Sequence, residues 1–111
     1  MKRKEIFNLI NPYVPCFMIG EHQGECKSEY VVLKFDNQFV SVSNVNGGWQ
    51  FVYIYCYTPL GNISALDSLV VKVIDILKNK LEFTGMITPE VIEPELKAYS
   101  KRLTFRYAKE V

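Results

Sequence analysis

Two parts of the chain repeat apolar residues at helical spacing. Near the N-terminus, Ile6, Leu9 and Ile10 lie three and four positions apart until Pro12 interrupts the pattern, which predicts a short helix over residues 2–11. A longer apolar stripe in the second half of the chain consists of Leu66, Leu69, Val70, Val73, Ile74 and Leu77. This stripe predicts a main helix that covers one face of a sheet.

The start of the main helix can be placed from its first polar residues. Ser64 is followed three positions later by Asp67, which is close to the capping-box pattern of a helix N-terminus. Ser64 is therefore the predicted N-cap. Lys78 and Lys80, near the end of the stripe, suit the negative end of the helix dipole.

Strand-like patterns precede the main helix. Residues 14–19 form an apolar run typical of an edge strand, and residues 30–35 are rich in β-branched and aromatic side chains. Residues 39–45 alternate apolar and polar positions, and Asn46 is followed by two glycines that suit a tight turn. The pattern predicts a hairpin that leads into a long strand beginning at Trp49.

The long strand over residues 49–57 has two apolar faces. Its odd-numbered face carries Trp49, Phe51, Tyr53, Tyr55 and Tyr57, and its even-numbered face carries Gln50, Val52, Ile54 and Cys56. Such a strand is expected at the centre of a sheet. A helix would cover one face, and something else, such as another subunit, would cover the other.

After the main helix, the pattern changes to a connection and a last strand. Residues 82–95 contain four glutamates, no basic residue, and the prolines Pro89 and Pro94, which predicts an irregular or extended acidic connection. Apolar and polar side chains then alternate over residues 103–107, which predicts a C-terminal strand.

Together these elements predict an α+β fold in one domain spanning residues 1–111. The sheet is mixed or antiparallel and contains a long hairpin, with one main helix on one face and a short N-terminal helix. The hydrophobic content of 49% suits one compact domain, and the length of 111 residues is too short for two.

The charge balance argues against nucleic acid as the main partner. The chain has 13 basic and 12 acidic residues and a net charge of +1, whereas nucleic-acid modules have a strong basic excess. The charges are nevertheless segregated, because the acidic residues 82–95 precede a basic stretch over residues 97–109. The acidic segment of one subunit could therefore meet the basic strand of its neighbour in a head-to-tail ring.

The sequence contains no recognisable catalytic, metal or cofactor motif. Cys16, His22 and Cys26 lack the closely spaced pair of ligands that zinc sites use. The cysteines Cys16, Cys26 and Cys56 are odd in number, which indicates reduced thiols in a cytosolic protein. The glycines lack the spacing of phosphate-binding loops, and no apolar run is long enough to span a membrane. We therefore expect neither an enzyme nor a bound cofactor or metal.

A small nucleic-acid-binding or adaptor module is the alternative that the sequence leaves open. The tyrosine-rich strand could stack on single-stranded bases, and Lys101, Arg102 and Arg106 could contact phosphates. The same aromatic residues also suit packing within the sheet or an interface between subunits.

A longer segment of the chain carries a family resemblance. The stretch FVYIYCYTPLGNISALD, from Phe51 to Asp67, is followed by the main helix and then by YSKRLTFRY, from Tyr99 to Tyr107. This arrangement resembles the small tail completion, or tail terminator, proteins of long-tailed, siphovirus-type phages and prophages of Gram-positive bacteria. That family combines a tyrosine-rich strand, a Pro/Gly turn, a Leu-Asp helix start and a final amphipathic strand. The resemblance covers residues 49–109, and the earlier elements match only in layout.

The resemblance implies a virion structural protein. Members of the family form a hexameric ring that caps the finished tail tube, stops its growth and offers a surface to the head, and they have no catalytic residues. The implied partners are further copies of the chain, the tail tube protein and a head–tail connector or neck protein, in the virion and in the host cytoplasm during assembly. The candidate interface residues are Trp49, Tyr53, Tyr55, Tyr57, Asn46, Leu60, Glu90, Glu93, Lys101, Arg102 and Arg106.

Overall fold

The computed structural model describes residues 3–21, 24–35 and 49–108, which form one mixed sheet of six strands and two helices. This confirms the predicted α+β fold, with one main helix and a short N-terminal helix. In chain order the elements are α1 (Arg3–Ile10), β1 (Cys16–Met18), β2 (Tyr30–Phe35), β3 (Trp49–Pro59), α2 (Ile63–Leu77), β4 (Glu82–Ile87), β5 (Val91–Glu93) and β6 (Ala98–Ala108).

The two longest strands occupy the middle of the sheet. The strand order is β1-β2-β3-β6-β4, and β5 also pairs with β6. Among the described strands, only the short edge strand β1 runs parallel to its neighbour, with Phe17 opposite Val32, and the other pairs are antiparallel. The prediction that β3 is a central strand is therefore confirmed, as is the edge position of the strand predicted over residues 14–19.

Part of the predicted hairpin lies outside the described residues. This applies to the strand predicted over residues 39–45 and to the turn at Asn46. The structure shows that β2 and β3 are antiparallel neighbours, with Tyr30 opposite Tyr57 and Phe35 opposite Val52.

Residues 82–95 differ from the prediction, because they contain the two strands β4 and β5. β6 is eleven residues long, and β4 and β5 pair with successive parts of the side of β6 that faces away from β3. Pro89 and Pro94 fall outside both strands, where their missing N–H groups cost no ladder hydrogen bond. The register of β4 shifts between Phe83 and Ile87, where Gly85 has a φ of +84°.

The helices cover one face of the sheet. Val52, Ile54 and Cys56 of β3 are fully buried in a core that also contains the inward side of α2. The predicted helical stripe is confirmed, since all of its members are buried except Ile74, which is half-buried. From β6, Leu103 and Phe105 complete this core.

The N-cap of α2 is Asn62, and the prediction of Ser64 is wrong. Asn62 has the extended backbone of an N-cap, with φ −142° and ψ 93°, and its side-chain oxygen accepts a hydrogen bond from the backbone N–H of Ser64 at 3.1 Å. Ser64 already lies in the first turn of the helix. Asparagine and serine are both good N-caps, and the backbone conformation decides between them.

Replacing Asn62 with alanine should therefore destabilise the protein by about 1 kcal/mol, because one N–H of the first turn loses its acceptor. Ser64→Ala is the matched control, and it should change the free energy of unfolding by less than about 0.5 kcal/mol. Urea unfolding monitored by circular dichroism measures both. A larger loss for Ser64→Ala would contradict the position of the cap.

Candidate functional site

The candidate site is the face of the sheet that turns away from the helices, called here the open face. The odd-numbered residues of β3 lie on it, and the register places three residues of β6 beside them: Arg106 opposite Phe51, Thr104 opposite Tyr53 and Arg102 opposite Tyr55. The β3 residues Phe51 to Tyr57 on this face are half-buried, and Trp49 is 45% exposed. The open face is thus a row of aromatic side chains beside two arginines.

Each of these arginines lies over an aromatic ring of β3. The guanidinium carbon of Arg102 is 4.8 Å from the ring centre of Tyr53, and that of Arg106 is 4.1 Å from the ring centre of Trp49. Both contacts run diagonally from β6 to β3, and the distances are those of cation–π pairs. The rings hold the two planar guanidinium groups against the sheet.

The two arginines differ in their charge partners. Nη2 of Arg106 lies 2.7 Å from Oε1 of Glu82 on β4. Arg102 makes no ion pair within the described part of the chain, and its Nε is buried without a hydrogen-bond partner there. Because a buried or half-buried cation is stabilised by a carboxylate, Arg102 is the polar group of the open face that is best placed to accept one.

A pocket of about 210 Å³ lies beside Arg102. The hydroxyl of Thr84 in β4 donates a hydrogen bond of 2.8 Å to the backbone carbonyl of Thr104, which lines the pocket, and this bond holds β4 beside β6. The volume is below the roughly 300–1,000 Å³ of typical small-molecule sites, so the pocket suits a protein side chain better than a cofactor. Its lining consists of Phe51, Tyr53, Met86, Arg102 and Thr104.

Lys101 does not belong to the open face. It alternates with Arg102 along β6, so its side chain lies on the helical face, where Nζ is 3.2 Å from Oδ1 of Asp67 and 3.8 Å from Oε2 of Glu90. Lys101, which the sequence groups with Arg102 and Arg106 as a possible phosphate contact, therefore lies on the opposite face of the sheet from these two arginines.

Several acids of residues 82–95 have partners inside the chain. Glu82 pairs with Arg106, Glu90 lies beside Lys101, and a carboxylate oxygen of Glu93 accepts a hydrogen bond from the hydroxyl of Ser100 at 3.3 Å. The charge segregation along the sequence is thus partly neutralised within one subunit.

Aromatic packing closes one end of the open face. Tyr57 stacks on Tyr30 of β2 with ring centres 4.9 Å apart, and Phe17 of β1 meets Tyr30 edge-on at 5.7 Å. Burial raises the pKa of Tyr30 to about 12 and also raises the pKa of Tyr57. These hydroxyls stay protonated at neutral pH, and the predicted interface residue Tyr57 packs within the chain.

The remaining predicted residues are dispersed. Leu60 is exposed in the turn after β3, Tyr55 is half-buried on the open face, and Asn46 lies outside the described residues. Sequence reasoning did not select Met86, because it predicts an irregular or extended connection for residues 82–95 and no strand pairing. Only the side-by-side pairing of β4 and β6 brings Met86 to Arg102.

The three thiols are buried and unpaired. Burial raises the pKa of Cys16 and of Cys56 to about 12 and also raises the pKa of Cys26. Nucleophilic thiols have lowered pKa values, so these groups are poor nucleophiles. Among the described residues, no three metal-binding side chains are grouped so that they could hold an ion, and His22 lies outside this part of the chain.

In the described part of the chain, neither helix has the length and apolar character needed to cross a membrane. Comparison of the sequence with models of protein families and with curated proteins found no match. The open face, with the Arg102 pocket, is therefore the candidate functional site of the described chain.

Proposed function

We propose that the chain is a ring-forming structural protein of a long-tailed phage or prophage, a tail terminator that caps the tail tube and joins it to the head. The observation that carries the proposal is the open face. Helices cover one side of the sheet, while the other side presents a row of aromatic residues without a covering layer in the described chain. A subunit that assembles with other protein surfaces would bury that row.

A second surface supports assembly. The outer edge formed by β4 and β5 presents four exposed apolar side chains, of which Met86 and Ile92 are each 60% exposed. An apolar edge of this kind is a site for association with another protein surface. The four residues are Met86, Ile87, Val91 and Ile92. The edge adjoins the open face, because Met86 also lines the Arg102 pocket, and a subunit with contact sites at more than one place can form a closed ring.

The segment that resembles the family contains these features. Its tyrosine-rich strand is β3, its Leu-Asp helix start falls in α2, and its final amphipathic strand is β6. The α+β fold agrees with the fold that the resemblance implies, and the rigid central pair β3–β6 would position the open face in each subunit of a ring.

The nucleic-acid alternative has weaker support. The rings of Tyr53 and Trp49, which would stack on bases, are already in contact with the guanidinium groups of Arg102 and Arg106. Arg106 is also neutralised by Glu82. Binding of a single strand would have to displace these contacts.

The proposal is tested by sedimentation velocity over increasing protein concentration and by electron microscopy after mixing with purified tail tubes. We expect concentration-dependent assembly toward a hexamer of the 12.9 kDa subunit, or a ring at the end of the tube. A protein that remains monomeric at high concentration and also leaves the tubes uncapped would disprove it. Salt-sensitive quenching of Trp49 fluorescence by an oligonucleotide would instead support the alternative.

A further inference from the structure

Arg102 and Arg106 occupy nearly equivalent places on the open face. Both are on β6, both lie over an aromatic ring of β3, and both have a buried Nε without a hydrogen-bond partner in the described chain. They differ in what β4 offers them. Glu82 supplies a carboxylate to Arg106, whereas Met86 lines the pocket beside Arg102. The Arg102 site is therefore built like its neighbour except for a missing acid.

One acid has no partner within the described residues. Most carboxylates in the described residues form ion pairs, for example Glu25 with Lys97, Glu29 with Lys72 and Asp67 with Lys101. The carboxylate of Glu95 makes neither an ion pair nor a hydrogen bond within the described residues, and it is exposed in the turn from β5 to β6.

The segment that ends at Glu95 is complementary in charge to the pocket beside Arg102, and both present apolar side chains. Val91 and Ile92 of β5, four and three positions before Glu95, are exposed apolar side chains, so this segment presents apolar groups followed by a carboxylate that has no partner within the described residues. The pocket presents the converse, with Phe51, Tyr53 and Met86 around a guanidinium that has no carboxylate partner in the described part of the chain. Charge and apolar surface are complementary between the two regions.

We propose that the Arg102 pocket receives Glu95 of a second copy of the chain, with the β5 edge of that copy packed on the aromatic row. The contact deepens the proposed function and rests on it, because it assumes self-association. The ring of Tyr53 is already in contact with the guanidinium, so little side-chain entropy is lost when a carboxylate binds. The planar carboxylate can then form the paired hydrogen bonds that arginine favours.

Arg102 and Glu95 are separate positions on one subunit. Arg102 is in the middle of β6, whereas Glu95 precedes the start of that strand, and Arg102 lies four residues beyond Ala98, a rise of about 13 Å along an ideal strand. When each copy gives its Glu95 to one neighbour and receives Glu95 from another, the contact is head-to-tail and produces a ring if the rotation closes, whereas a reciprocal exchange between two copies produces a dimer.

The experiment compares self-association of the full chain by sedimentation velocity for the wild type, Arg102→Glu, Glu95→Arg and the double variant. Each single reversal should weaken association by about tenfold or more, and the double variant should recover most of that loss. Lys4→Glu is the control, since it makes the same change of charge at an exposed residue of α1. It should associate like the wild type.

Thermal unfolding of each variant separates assembly from folding, and Arg102→Gln and Glu95→Gln replace any reversal that does not fold. Wild-type association of both single variants would overturn the inference and leave the proposed ring standing. Loss in the singles without recovery in the double variant would overturn Glu95 as the occupant. If Arg102→Glu assembles normally but no longer binds tail tubes, the occupant is the tube protein and the inference is wrong. A wild-type chain that never self-associates overturns the inference, whereas the proposed function falls only if the tubes also remain uncapped.

Discussion

Phe105→Ala is expected to lower the free energy of unfolding by about 3–5 kcal/mol. Phe105 is fully buried, its ring centre lies 5.1 Å from that of Phe83, and it faces the helical layer from the central strand β6. Removing the ring leaves a cavity that the neighbouring strands and α2 cannot fill completely. Since small domains are stable by only about 5–15 kcal/mol, much of the variant should be unfolded at a moderate urea concentration.

Phe51→Ala is the matched control for this prediction. The same side chain is removed from the other face of the sheet, where Phe51 is half-buried and lines the pocket beside Arg102. At a protein concentration that keeps the chain monomeric, we expect a clearly smaller loss of stability. Equal losses for the two variants in urea unfolding would contradict the placement of the core on the helical face.

Stability should also fall steeply as the pH rises from 9 to 12. Cys56 is fully buried, and burial raises the pKa of its thiol from 9.0 to about 12. Between these values the unfolded chain has lost the thiol proton while the folded chain keeps it, so alkali favours unfolding. The contribution of the Cys56 thiol to stability is fully present below pH 9 and is lost as the pH approaches 12. A shift of this size corresponds to about 4 kcal/mol from Cys56.

Cys56→Ala isolates this effect. Its stability at pH 8 will be lower because a buried side chain is shortened, but its further decline between pH 9 and 12 should be shallower than in the wild type. Urea midpoints measured across this range provide the comparison. Parallel declines in the two proteins would rule out Cys56 as the source. Cys16, Cys26, Tyr30 and Tyr57, whose pKa values burial also raises, should contribute to the decline that remains.

Features that depend on local periodicity were predictable from the sequence. The alternation of Val52 with Tyr53 separates the helical face of β3 from the open face, and the spacing of Leu66, Leu69 and Val73 identifies the buried side of α2. Successive residues of a strand point to opposite faces of the sheet, so the neighbouring positions of Lys101 and Arg102 in β6 already predict that their side chains lie on opposite faces.

Features that depend on pairing between distant residues were not predictable. Whether β4 forms beside β6 depends on the free hydrogen-bonding edge of β6, and nothing local to Glu82 indicates it. The position of Met86 depends further on the register shift around Gly85. The partner of Arg106 is likewise 24 residues away in the chain, and a sum of charges along the sequence does not reveal it.

The position of β6 in the sheet also determines when the protein can fold. β6 is synthesised after every strand with which it pairs, and its pairing with β3 joins residues as far apart as Trp49 and Ala108. Until it emerges from the ribosome, β3 lacks a neighbour on one side and α2 lacks Leu103 and Phe105 as packing partners. Contacts at such long sequence separation slow folding because a large loop must close first. The aromatic row of β3 therefore lacks its β6 neighbours Arg102, Thr104 and Arg106 throughout the synthesis of α2, β4 and β5.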